Sequence, residues 1–456
     1  MIPEQFLSRM HEMPDLDFSA FEQALETPAV RALRVNPIKA TAENLIPLLP
    51  FSVNPLPFGH DAYYAPEDKV GALATHHAGM FYMQDPSAIS TVCAAHVQEG
   101  MRVIDLCAAP GGKSTQLAAA IGDQGVLVSN EYVSARCRIL QGNVERIGAR
   151  NTVVTNLDTG VLADFYGAAF DLVVADVPCS GEGMFRKYEV ATTEWSPENV
   201  ALCAKRQWEI LQNAAALTAP GGRLLYSTCT FSLEENEQNI DKFLDTYPDF
   251  SLLPVQKDIA AITADGVCFA GCHHDLSLCR RFYPHLSPGE GQFVAYLQRS
   301  FDGGEMTNSK DHAQVPDKQT GKAVSAFLQE LLTNPPLHLH LTQTRELLWL
   351  TPDIPIPSRG VFAPGVCLGT LQKGRIEPHH QLASAFGTQY RRRVMLSPDD
   401  PRTAAYLHGE EIALTPDEAA CGNGYAAVLV AGAPLGGGKI VGERLKNHYP
   451  KGLRNK

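Results

Sequence analysis

The periodicity of hydrophobic positions divides the chain into regions, and the longest regular one lies between about residues 90 and 300. Short apolar runs that predict buried strands, such as Phe170–Asp176, alternate there with segments of helical periodicity such as Ser134–Ile147. A longer helix is predicted from a capping residue, Ser196, to about Ala219. This alternation is typical of a parallel sheet with helices on both faces, so we predict a doubly wound α/β domain over residues 91–300.

Local signals predict how the second half of this domain is built. The segment Pro220–Gly222 predicts a turn that leads into a strand at Arg223–Ser227. Ser232, with Glu235 three residues later, predicts a capping box and therefore a helix that begins at Ser232. A last strand, Gly289–Leu297, is predicted to close the domain.

Shorter modules flank this domain on both sides. The N-terminal part combines small helices, in which Phe18, Phe21 and Leu25 recur at helical spacing, with a proline-rich half. In the C-terminal part, Val428–Val430 lies between glycine and proline turns and predicts a small β-rich barrel. The pattern thus predicts an N-terminal helical or mixed domain at 1–90, a polar linker at 301–322, a C-terminal α+β module at 323–388 and a β-rich module at 389–456.

Composition narrows the class of protein. With 45% hydrophobic and 19% charged residues, the 456-residue chain can form globular cores, and no apolar run approaches the roughly 18 residues of a membrane span. The start has no basic flank or signal-peptide core, so we predict a cytoplasmic protein without membrane attachment. The eleven cysteines are scattered through apolar or motif positions, which indicates reduced thiols rather than a disulfide framework.

The charge balance of 38 basic and 50 acidic residues, −12 overall, argues against a protein whose whole surface binds nucleic acid. Local basic faces remain possible, but such runs are usually solvated surface, so charge alone identifies no binding site. The basic runs are Arg391–Arg393 and a C-terminal tail opposed only by Glu443, which contains Lys439, Arg444, Lys446, Lys451, Arg454 and Lys456.

The stretch Asp105–Thr115 carries the clearest sign of a ligand. A short apolar run ends at Asp105, the backbone turns through small residues and glycines, and a helix is predicted to begin at Ser114 or Thr115. Glycines let the main chain approach a ligand, and the free N–H groups of a helix start present positive partial charge to it. The stretch also matches the end of the phosphate-binding pattern G-x-x-x-x-G-K-[ST], but that pattern requires glycine where this chain has Cys107. We therefore predict a nucleoside cofactor cradle rather than an NTPase loop.

Acidic residues also follow the next two predicted strands. Glu131 lies where an acid can accept the two ribose hydroxyls of a bound nucleoside, and Asp158 lies where an adenine amino group could be bound. Taken singly, each acid is more often a helix cap or a solvated charge. Together with Asp105 they lie at successive strand ends, which favours S-adenosylmethionine as the cofactor.

Two cysteines follow consecutive predicted strands of the same sheet, Cys179 after Asp176 and Cys229 after Ser227–Thr228. The carboxyl ends of parallel strands form the ligand crevice, so both thiols and the Asp176 carboxylate should face the cofactor. This set suits methylation of a pyrimidine at C5, because a thiolate that adds to C6 makes C5 nucleophilic while an acid supports the addition at N3. A second thiol could then help to dismantle the adduct.

Three strings, Asp105–Lys113, Asp176–Gly181 and Ser227–Thr230, resemble the Nop/Sun family of RNA cytosine-5 methyltransferases, and the resemblance extends through Leu297. The long C-terminal extension resembles the bacterial RsmF branch, in which a PUA-like last module helps to hold ribosomal RNA. The resemblance implies an enzyme with a Rossmann-like domain that methylates cytosine C5 in 16S ribosomal RNA. We expect this enzyme to be a monomer, although the sequence does not determine the oligomeric state. Other family-like strings are Gly289–Phe293, Leu33–Asn36, which alone predicts a strand edge, and Gln84–Ala88, which alone predicts a capped helix start.

Carried over by position, the resemblance makes Cys229 the nucleophile that forms a covalent adduct with C6, and Cys179 the cysteine that assists product release. Spacing alone does not choose between the two. Arg186 and Lys187 are placed to meet RNA phosphate near the site, although an exposed pair without a partner is an equal alternative. The implied cofactor contacts are Cys107, Ala108, Ala109, Pro110, Gly111, Gly112, Lys113, Glu131, Asp158 and Asp176.

Two other functions stay open. The same chemistry could act on transfer RNA, although the C-terminal extension and the string Gly183–Lys187 favour ribosomal RNA. The chain could instead be a ribosome assembly factor that binds RNA and carries an idle catalytic domain. The presence of Asp176, Cys179 and Cys229 argues against an idle domain.

A further group of possible metal ligands lies outside these motifs. Its sulfur and nitrogen atoms would suffice for a tetrahedral zinc site, but the spacing is not that of a standard zinc finger and no second knuckle accompanies it. We therefore predict no bound metal. The group comprises Cys268, Cys272, His273, His274 and Cys279.

Overall fold

The computed structural model describes residues 2–59, 61–66, 70–287, 289–302, 309–372 and 374–455. Its N-terminal part begins with two short helices and continues as a small antiparallel sheet of order β2-β3-β1-β4. The elements are α1 (Glu4–His11), α2 (Phe18–Leu25), β1 (Ala32–Val35), α3 (Ala42–Leu45), β2 (Asn54–Pro55), β3 (Ala62–Tyr64), α4 (Ala74–His77), β4 (Phe81–Gln84) and α5 (Pro86–Cys93).

The central domain confirms the predicted alternation of strands and helices. Its elements are β5 (Arg102–Asp105), α6 (Gly112–Ala120), β6 (Val126–Asn130), α7 (Ser134–Ile147), β7 (Thr152–Thr155), α8 (Thr159–Tyr166), β8 (Phe170–Asp176), α9 (Glu189–Glu194), α10 (Pro197–Leu217), β9 (Thr218–Thr228), α11 (Glu237–Thr246), β10 (Phe250–Leu252), α12 (Lys257–Ala260), β11 (Ala264–Asp265), β12 (Arg280–Phe282) and β13 (Gln292–Arg299).

The strands of this domain form one twisted sheet with a parallel centre. Strands β9, β8, β5, β6 and β7 are neighbours in that order and run parallel, while β13 pairs antiparallel with β9. Two hydrophobic clusters cover its faces, which explains the continuous apolar runs of the central strands. The parallel arrangement brings the carboxyl ends of β5 to β9 to one edge, as the doubly wound prediction requires.

The C-terminal part contains two further sheets, of order β14-β15-β17-β18 and β19-β21-β22-β23-β20. The second supports the predicted β-rich module. The elements are α13 (Lys318–Leu331), β14 (His340–Thr344), β15 (Leu347–Thr351), β16 (Val361–Ala363), β17 (Val366–Gln372), β18 (Arg375–Pro378), α14 (His380–Phe386), β19 (Arg393–Leu396), α15 (Pro401–His408), β20 (Ile412–Ala413), α16 (Pro416–Ala420), β21 (Gly424–Val430), β22 (Ala433–Val441) and β23 (Arg444–Asn447).

The flanking parts pack against the central domain and against each other. Strand β16 joins the central sheet, because Val361 pairs with Thr155 on β7. The N-terminal sheet shares one hydrophobic core with the last module, and this core includes both Leu33 and Val428. The buried amine of Lys39 donates hydrogen bonds to Ser384 Oγ and Pro434 O, both at 2.9 Å. The parts predicted as separate modules are therefore joined by shared packing.

Several local predictions differ from the structure. The helix predicted from Ser232 begins at Glu237, because Glu235 accepts from the Ser180 N–H at 3.0 Å and is directed into the domain. The segment Pro220–Gly222 continues β9 instead of turning, and the register with β8 shifts there. The predicted strand edge at Leu33–Asn36 is an interior strand, since β1 lies between β3 and β4.

The predicted linker at 301–322 is shorter than expected. Its last residues belong to α13, which begins at Lys318. Asp311 accepts a hydrogen bond from the Ile356 N–H at 3.0 Å, so this segment is tied to the fold. Residues 303–308 of the predicted linker, and Lys456 of the basic tail, lie outside the described residues. No helix in the described part of the chain is both long and apolar enough to cross a bilayer.

Candidate active site

A cavity of about 1320 Å³ lies at the carboxyl edge of the parallel strands. The central domain contributes the loop after β5, together with Asp176, Cys229 and Gln292. The N-terminal domain contributes a second wall, which includes Asn54 and Tyr64. The cavity therefore lies between two domains, at the edge where the sequence predicted a ligand.

The loop Cys107–Gly112 is held in place by hydrogen bonds to its backbone. The Ala108 N–H donates to Asn130 O at 2.8 Å, and Arg136 donates to Ala109 O at 2.8 Å. Gly111 has φ +114°, and a Cβ there would lie 3.3 Å from the Leu140 side chain. Because a side chain is disfavoured at this φ, glycine lets the loop turn directly into α6.

Asp105, the acid that ends β5, is buried, and only one of its two carboxylate oxygens has a hydrogen-bond partner among the described residues. Asp105 Oδ2 accepts from Ser114 Oγ at 2.7 Å, whereas Oδ1 has no hydrogen-bond partner among the described residues. Burial raises the pKa of Asp105 to about 7, and the Ser114 hydroxyl offsets only part of this effect. A buried acceptor without a partner, on a residue that lines the cavity, indicates a site for a ligand donor.

The carboxylate that ends β8 is held on three sides. Asp176 Oδ2 forms an ion pair with Lys113 Nζ at 2.8 Å, and Oδ1 accepts from Ser227 Oγ at 2.7 Å and from Gln292 Nε2 at 3.3 Å. Lys113 is buried, so this ion pair is shielded from solvent on the lysine side. The arrangement fixes the orientation of the carboxylate next to Cys229 in the cavity wall.

These groups fit S-adenosylmethionine. Asp105 Oδ1 offers an acceptor to the methionine ammonium, and the start of α6 offers N–H groups to the methionine carboxylate. The other predicted cofactor acids differ from each other. Glu131 is buried and accepts from the Val133 N–H at 2.7 Å, with Arg136 at 3.7 Å. Asp158 is exposed and caps α8 through the Gly160 N–H at 2.8 Å.

The two predicted cysteines lie in contact. Cys179 Sγ and Cys229 Sγ are 3.1 Å apart, because β8 and β9 are paired parallel neighbours and each cysteine follows its strand. Cys229 lines the cavity, whereas Cys179 lies outside its lining. The hydrogen bond with Cys229 and burial hold the pKa of the Cys179 thiol well above its usual range. Cys179 therefore remains a neutral thiol that can donate to Cys229 sulfur.

The buried carboxylate of Glu182 connects the loops that carry Cys179 and Cys229. Glu182 Oε2 accepts from Thr230 Oγ1 and from the Phe231 N–H, both at 2.8 Å, and Glu182 Oε1 accepts from Trp195 Nε1 at 2.9 Å. The Gly183 N–H donates to Cys229 O at 2.9 Å. Burial raises the pKa of Glu182, and its three hydrogen-bond donors offset part of this effect. The loop after β8 thus positions the backbone on both sides of Cys229.

The predicted RNA contacts Arg186 and Lys187 both line the cavity. Their charged groups, however, already form ion pairs with carboxylates of the protein. The buried Arg186 guanidinium donates to Glu290 Oε2 at 2.9 Å and to Gly289 O at 2.7 Å. Lys187 Nζ pairs with Asp85 Oδ2 at 2.7 Å. This geometry opposes the prediction that Arg186 contacts RNA phosphate, because its donors already have protein acceptors. Arg186 instead anchors the loop in the cavity wall.

Sequence reasoning missed the contribution of the N-terminal domain to the site. Arg34 is buried and donates to Gly112 O at 3.2 Å and to Thr115 Oγ1 at 2.8 Å, so the N-terminal sheet supports the glycine loop. Asp85 accepts from the Ser87 N–H at 2.9 Å as the cap of α5 and also holds Lys187. The available signal was that Arg34 and Asp85 lie in two of the family-like strings.

The possible zinc ligands are not assembled as the sequence suggested. His273 Nδ1 and His274 Nε2 both contact Asp245, at 2.8 and 3.0 Å, and Cys279 is buried. Among the described residues, the side chains close enough to share a metal ion are Asp241, Asp245 and His273, within 4.8 Å. No thiol belongs to that described group, so the absence of a bound metal stays a prediction.

Comparison with known proteins agrees with this architecture. Residues 92–298 match the family model described as 16S rRNA methyltransferase RsmB/F. Residues 2–86 match the N-terminal domain of 16S rRNA methyltransferase RsmF, and residues 393–455 match the methyltransferase RsmF PUA domain.

Relatives align along almost the whole chain. Ribosomal RNA small subunit methyltransferase F of Vibrio vulnificus (strain YJ016) is 31% identical, over 99% of this chain and 97% of that protein. The protein of the same name from Klebsiella pneumoniae (strain 342) is also 31% identical, over 99% and 96%. These matches confirm the resemblance drawn from the sequence motifs.

Solved structures share the fold of the central part. A methyltransferase homologue from Pyrococcus horikoshii is 25% identical, with a TM-score of 0.56 over 65% of this chain and 95% of that one. NSun6 from the same organism, at 20% identity, has a TM-score of 0.56 over 65% and 98% and shows the fold alone. Because relatives above 30% identity span nearly its whole length, the chain belongs to the 16S rRNA methyltransferase RsmB/F family.

Proposed function

We propose that this protein methylates C5 of cytosine in 16S ribosomal RNA, with S-adenosylmethionine as the methyl donor and Cys229 as the nucleophile. The observation that carries the proposal is the position of Cys229. Its thiol lines the cavity beside the Asp176 carboxylate and the glycine loop, and it contacts a second thiol at 3.1 Å. Bound S-adenosylmethionine supplies an electrophilic methyl group.

The two thiols support different roles. The Cys229 thiolate adds to C6 of the base, which forms an S–C6 bond and makes C5 nucleophilic enough to take the methyl group. After a base removes the C5 proton, the electron pair of the C5–H bond restores the C5–C6 double bond and the S–C6 bond breaks. Cys179 is a neutral neighbour that can protonate the departing Cys229 sulfur, which supports its assignment to product release.

The remaining predicted site residues have binding or positioning roles in this proposal. Asp176, held by Lys113, faces the N3 edge of the cytosine, where its carboxylate accepts from the N4 amino group and, once water protonates N3 in the adduct, from N3–H. The cofactor is held by Asp105 and by the Cys107–Lys113 loop, most of which lines the cavity. Glu131 at the ribose and Asp158 at the adenine lie outside the cavity lining and are assigned by the resemblance. The exposed Asp158 already caps α8, so we expect it to contribute least to cofactor affinity.

Ribosomal RNA is favoured over transfer RNA as the substrate. Relatives that align along the whole chain are named as small-subunit ribosomal RNA methyltransferases, and residues 393–455 match their PUA domain. Such a substrate implies a cytoplasmic enzyme.

The test is methyl transfer from labelled S-adenosylmethionine to small ribosomal subunits, free 16S RNA and bulk transfer RNA, followed by digestion to nucleosides. We expect label in 5-methylcytidine from ribosomal RNA. Label from transfer RNA alone would retain the chemistry and overturn the substrate. RNA binding without label in any sample would favour the assembly-factor alternative, which a Cys229→Ala protein with full cellular function would support independently.

A further inference from the structure

The cavity at Cys229 extends beyond the cofactor loop and the catalytic residues to the N-terminal domain. Its volume is about 1320 Å³, more than the roughly 300–1,000 Å³ of a pocket for one small ligand, as a site for a cofactor together with a nucleotide requires. The N-terminal wall is lined by residues from Pro28 to Ala32 and by Ser52, Asn54, Tyr64, Ala65 and Pro66. A nucleotide next to the target cytosine can therefore contact this wall.

The N-terminal wall presents an amide next to an aromatic ring. Asn54 on β2 and Tyr64 on β3 are direct cross-strand partners, so both side chains lie on the same face of the sheet, and both line the cavity. Asn54 is exposed and Tyr64 is half-buried. Within the described residues, neither side chain makes a hydrogen bond, so both polar ends are available to a ligand.

The central domain contributes a second aromatic ring to the cavity, that of Tyr188. Its backbone is fixed by the two residues before it, since Arg186 is anchored by Glu290 and Lys187 by Asp85. Its ring is 58% exposed and packs against no other ring in the described part of the chain. A rigid backbone that carries an unpartnered aromatic ring is a preorganised stacking surface.

We propose that Tyr188 and the Asn54–Tyr64 pair form a subsite for one unpaired nucleotide adjacent to the target cytosine. The Tyr188 ring stacks on the neighbouring base, and the Asn54 amide hydrogen bonds its edge. Aromatic stacking with amide contacts to base edges is the usual means of recognising single-stranded RNA, because paired bases do not expose those edges. This inference rests on the proposed function for the identity of the ligand as RNA.

The subsite makes RNA affinity depend on length. We would measure binding of oligocytidylates of one, two, three and six nucleotides to the full chain, with Tyr188→Ala, Tyr188→Phe and Asn54→Ala as variants. Phe301→Ala is the matched control, because this aromatic residue is 80% exposed and follows β13 at the opposite edge of the sheet. Each variant would first be shown to keep the wild-type melting temperature.

We expect wild-type affinity to rise about tenfold or more when a second nucleotide is added, as stacking of one base implies. Tyr188→Ala should lose this gain but retain binding of the mononucleotide, while Tyr188→Phe and Phe301→Ala should keep the gain. Asn54→Ala should reduce the gain. Equal length dependence in Tyr188→Ala and the wild type would overturn the proposal.

Kinetics on small-subunit RNA separate this inference from the proposed function. Tyr188→Ala should raise KM for RNA about tenfold and leave kcat within about twofold, because stacking on a neighbour contributes to binding rather than to the reacting bond. Active wild-type enzyme with an unchanged KM in Tyr188→Ala would refute the subsite alone. Inactive wild-type enzyme would refute the proposed function, and the oligocytidylate series would still decide whether the subsite exists.

Discussion

The buried Asp105 predicts that cofactor affinity depends on pH around neutrality. Burial raises its pKa to about 7, and its unpartnered Oδ1 is the atom proposed to accept the cofactor ammonium. Binding therefore requires the ionised carboxylate. At pH 6, Asp105 is ionised in only about one protein molecule in eleven. The cofactor ammonium itself loses its proton near pH 8, so we expect Kd for S-adenosylmethionine to be about fourfold weaker at pH 6 than at pH 7 or 8, with about one proton released on binding at pH 6.

The raised pKa of Asp105 also makes the stability of the cofactor-free protein depend on pH. Because the folded-state pKa lies above the ordinary value of about 4, the contribution of Asp105 to stability is greatest below pH 4 and is lost as pH rises through 7. A shift of about three units corresponds to a loss of up to about 4 kcal/mol. Asp105→Asn keeps an acceptor for Ser114 and removes the ionisation, so it should stabilise the free protein at pH 8 while weakening cofactor binding.

Isothermal titration calorimetry at pH 6, 7 and 8, in buffers of different ionisation enthalpy, measures both affinity and proton release. Asp171→Asn is the matched control, because this exposed carboxylate lies near the start of β8, at the opposite edge of the sheet. Asp105→Asn should remove the weakening at pH 6, and Asp171→Asn should retain it. A wild-type Kd constant within twofold from pH 6 to 8 would refute the assignment of Asp105.

Four further predictions concern the catalytic loops. Cys229→Ala should abolish methylation, and Cys179→Ala should leave protein covalently attached to RNA, visible as a slow band on a denaturing gel; full turnover by Cys179→Ala without that band would remove its role. Glu182→Ala should lower unfolding free energy by about 3–5 kcal/mol and lower kcat, because three buried donors lose their acceptor; unchanged denaturant midpoint and kcat would contradict this. Arg186→Met should cost about 3–5 kcal/mol by leaving Glu290 buried without its partner, whereas a purely RNA-binding role predicts wild-type stability.

Much of the site follows from the sequence, because one topological rule relates residues that are far apart in the chain. Once the alternating pattern indicates a parallel sheet, every residue that follows a strand is assigned to the same edge. Asp105, Asp176 and Cys229 were placed together in this way, and the structure shows all three lining one cavity. The bounds of α7 were also predicted, since its helical periodicity is local.

The sequence motifs together with the resemblance also identified the family, and they predict which of the two cysteines is the nucleophile, a choice that strand spacing alone could not make. What the chain pattern did not indicate was which polar groups would find partners within the protein. Arg186 was predicted to contact RNA phosphate, yet its donors are occupied by Glu290 and by carbonyl groups more than a hundred residues away. The capping box at Ser232 failed for the same reason, since Glu235 is engaged by Ser180.

Only the tertiary structure decided how the domains share the site. The wall that carries Asn54 and Tyr64, the support of the glycine loop by Arg34, and the addition of β16 to the central sheet all depend on packing between distant segments. Hydrophobic periodicity shows that a face will be buried but does not show against which partner. Periodicity and strand order thus determined the chemistry at the sheet edge, and packing between domains determined the shape and volume of the cavity around it.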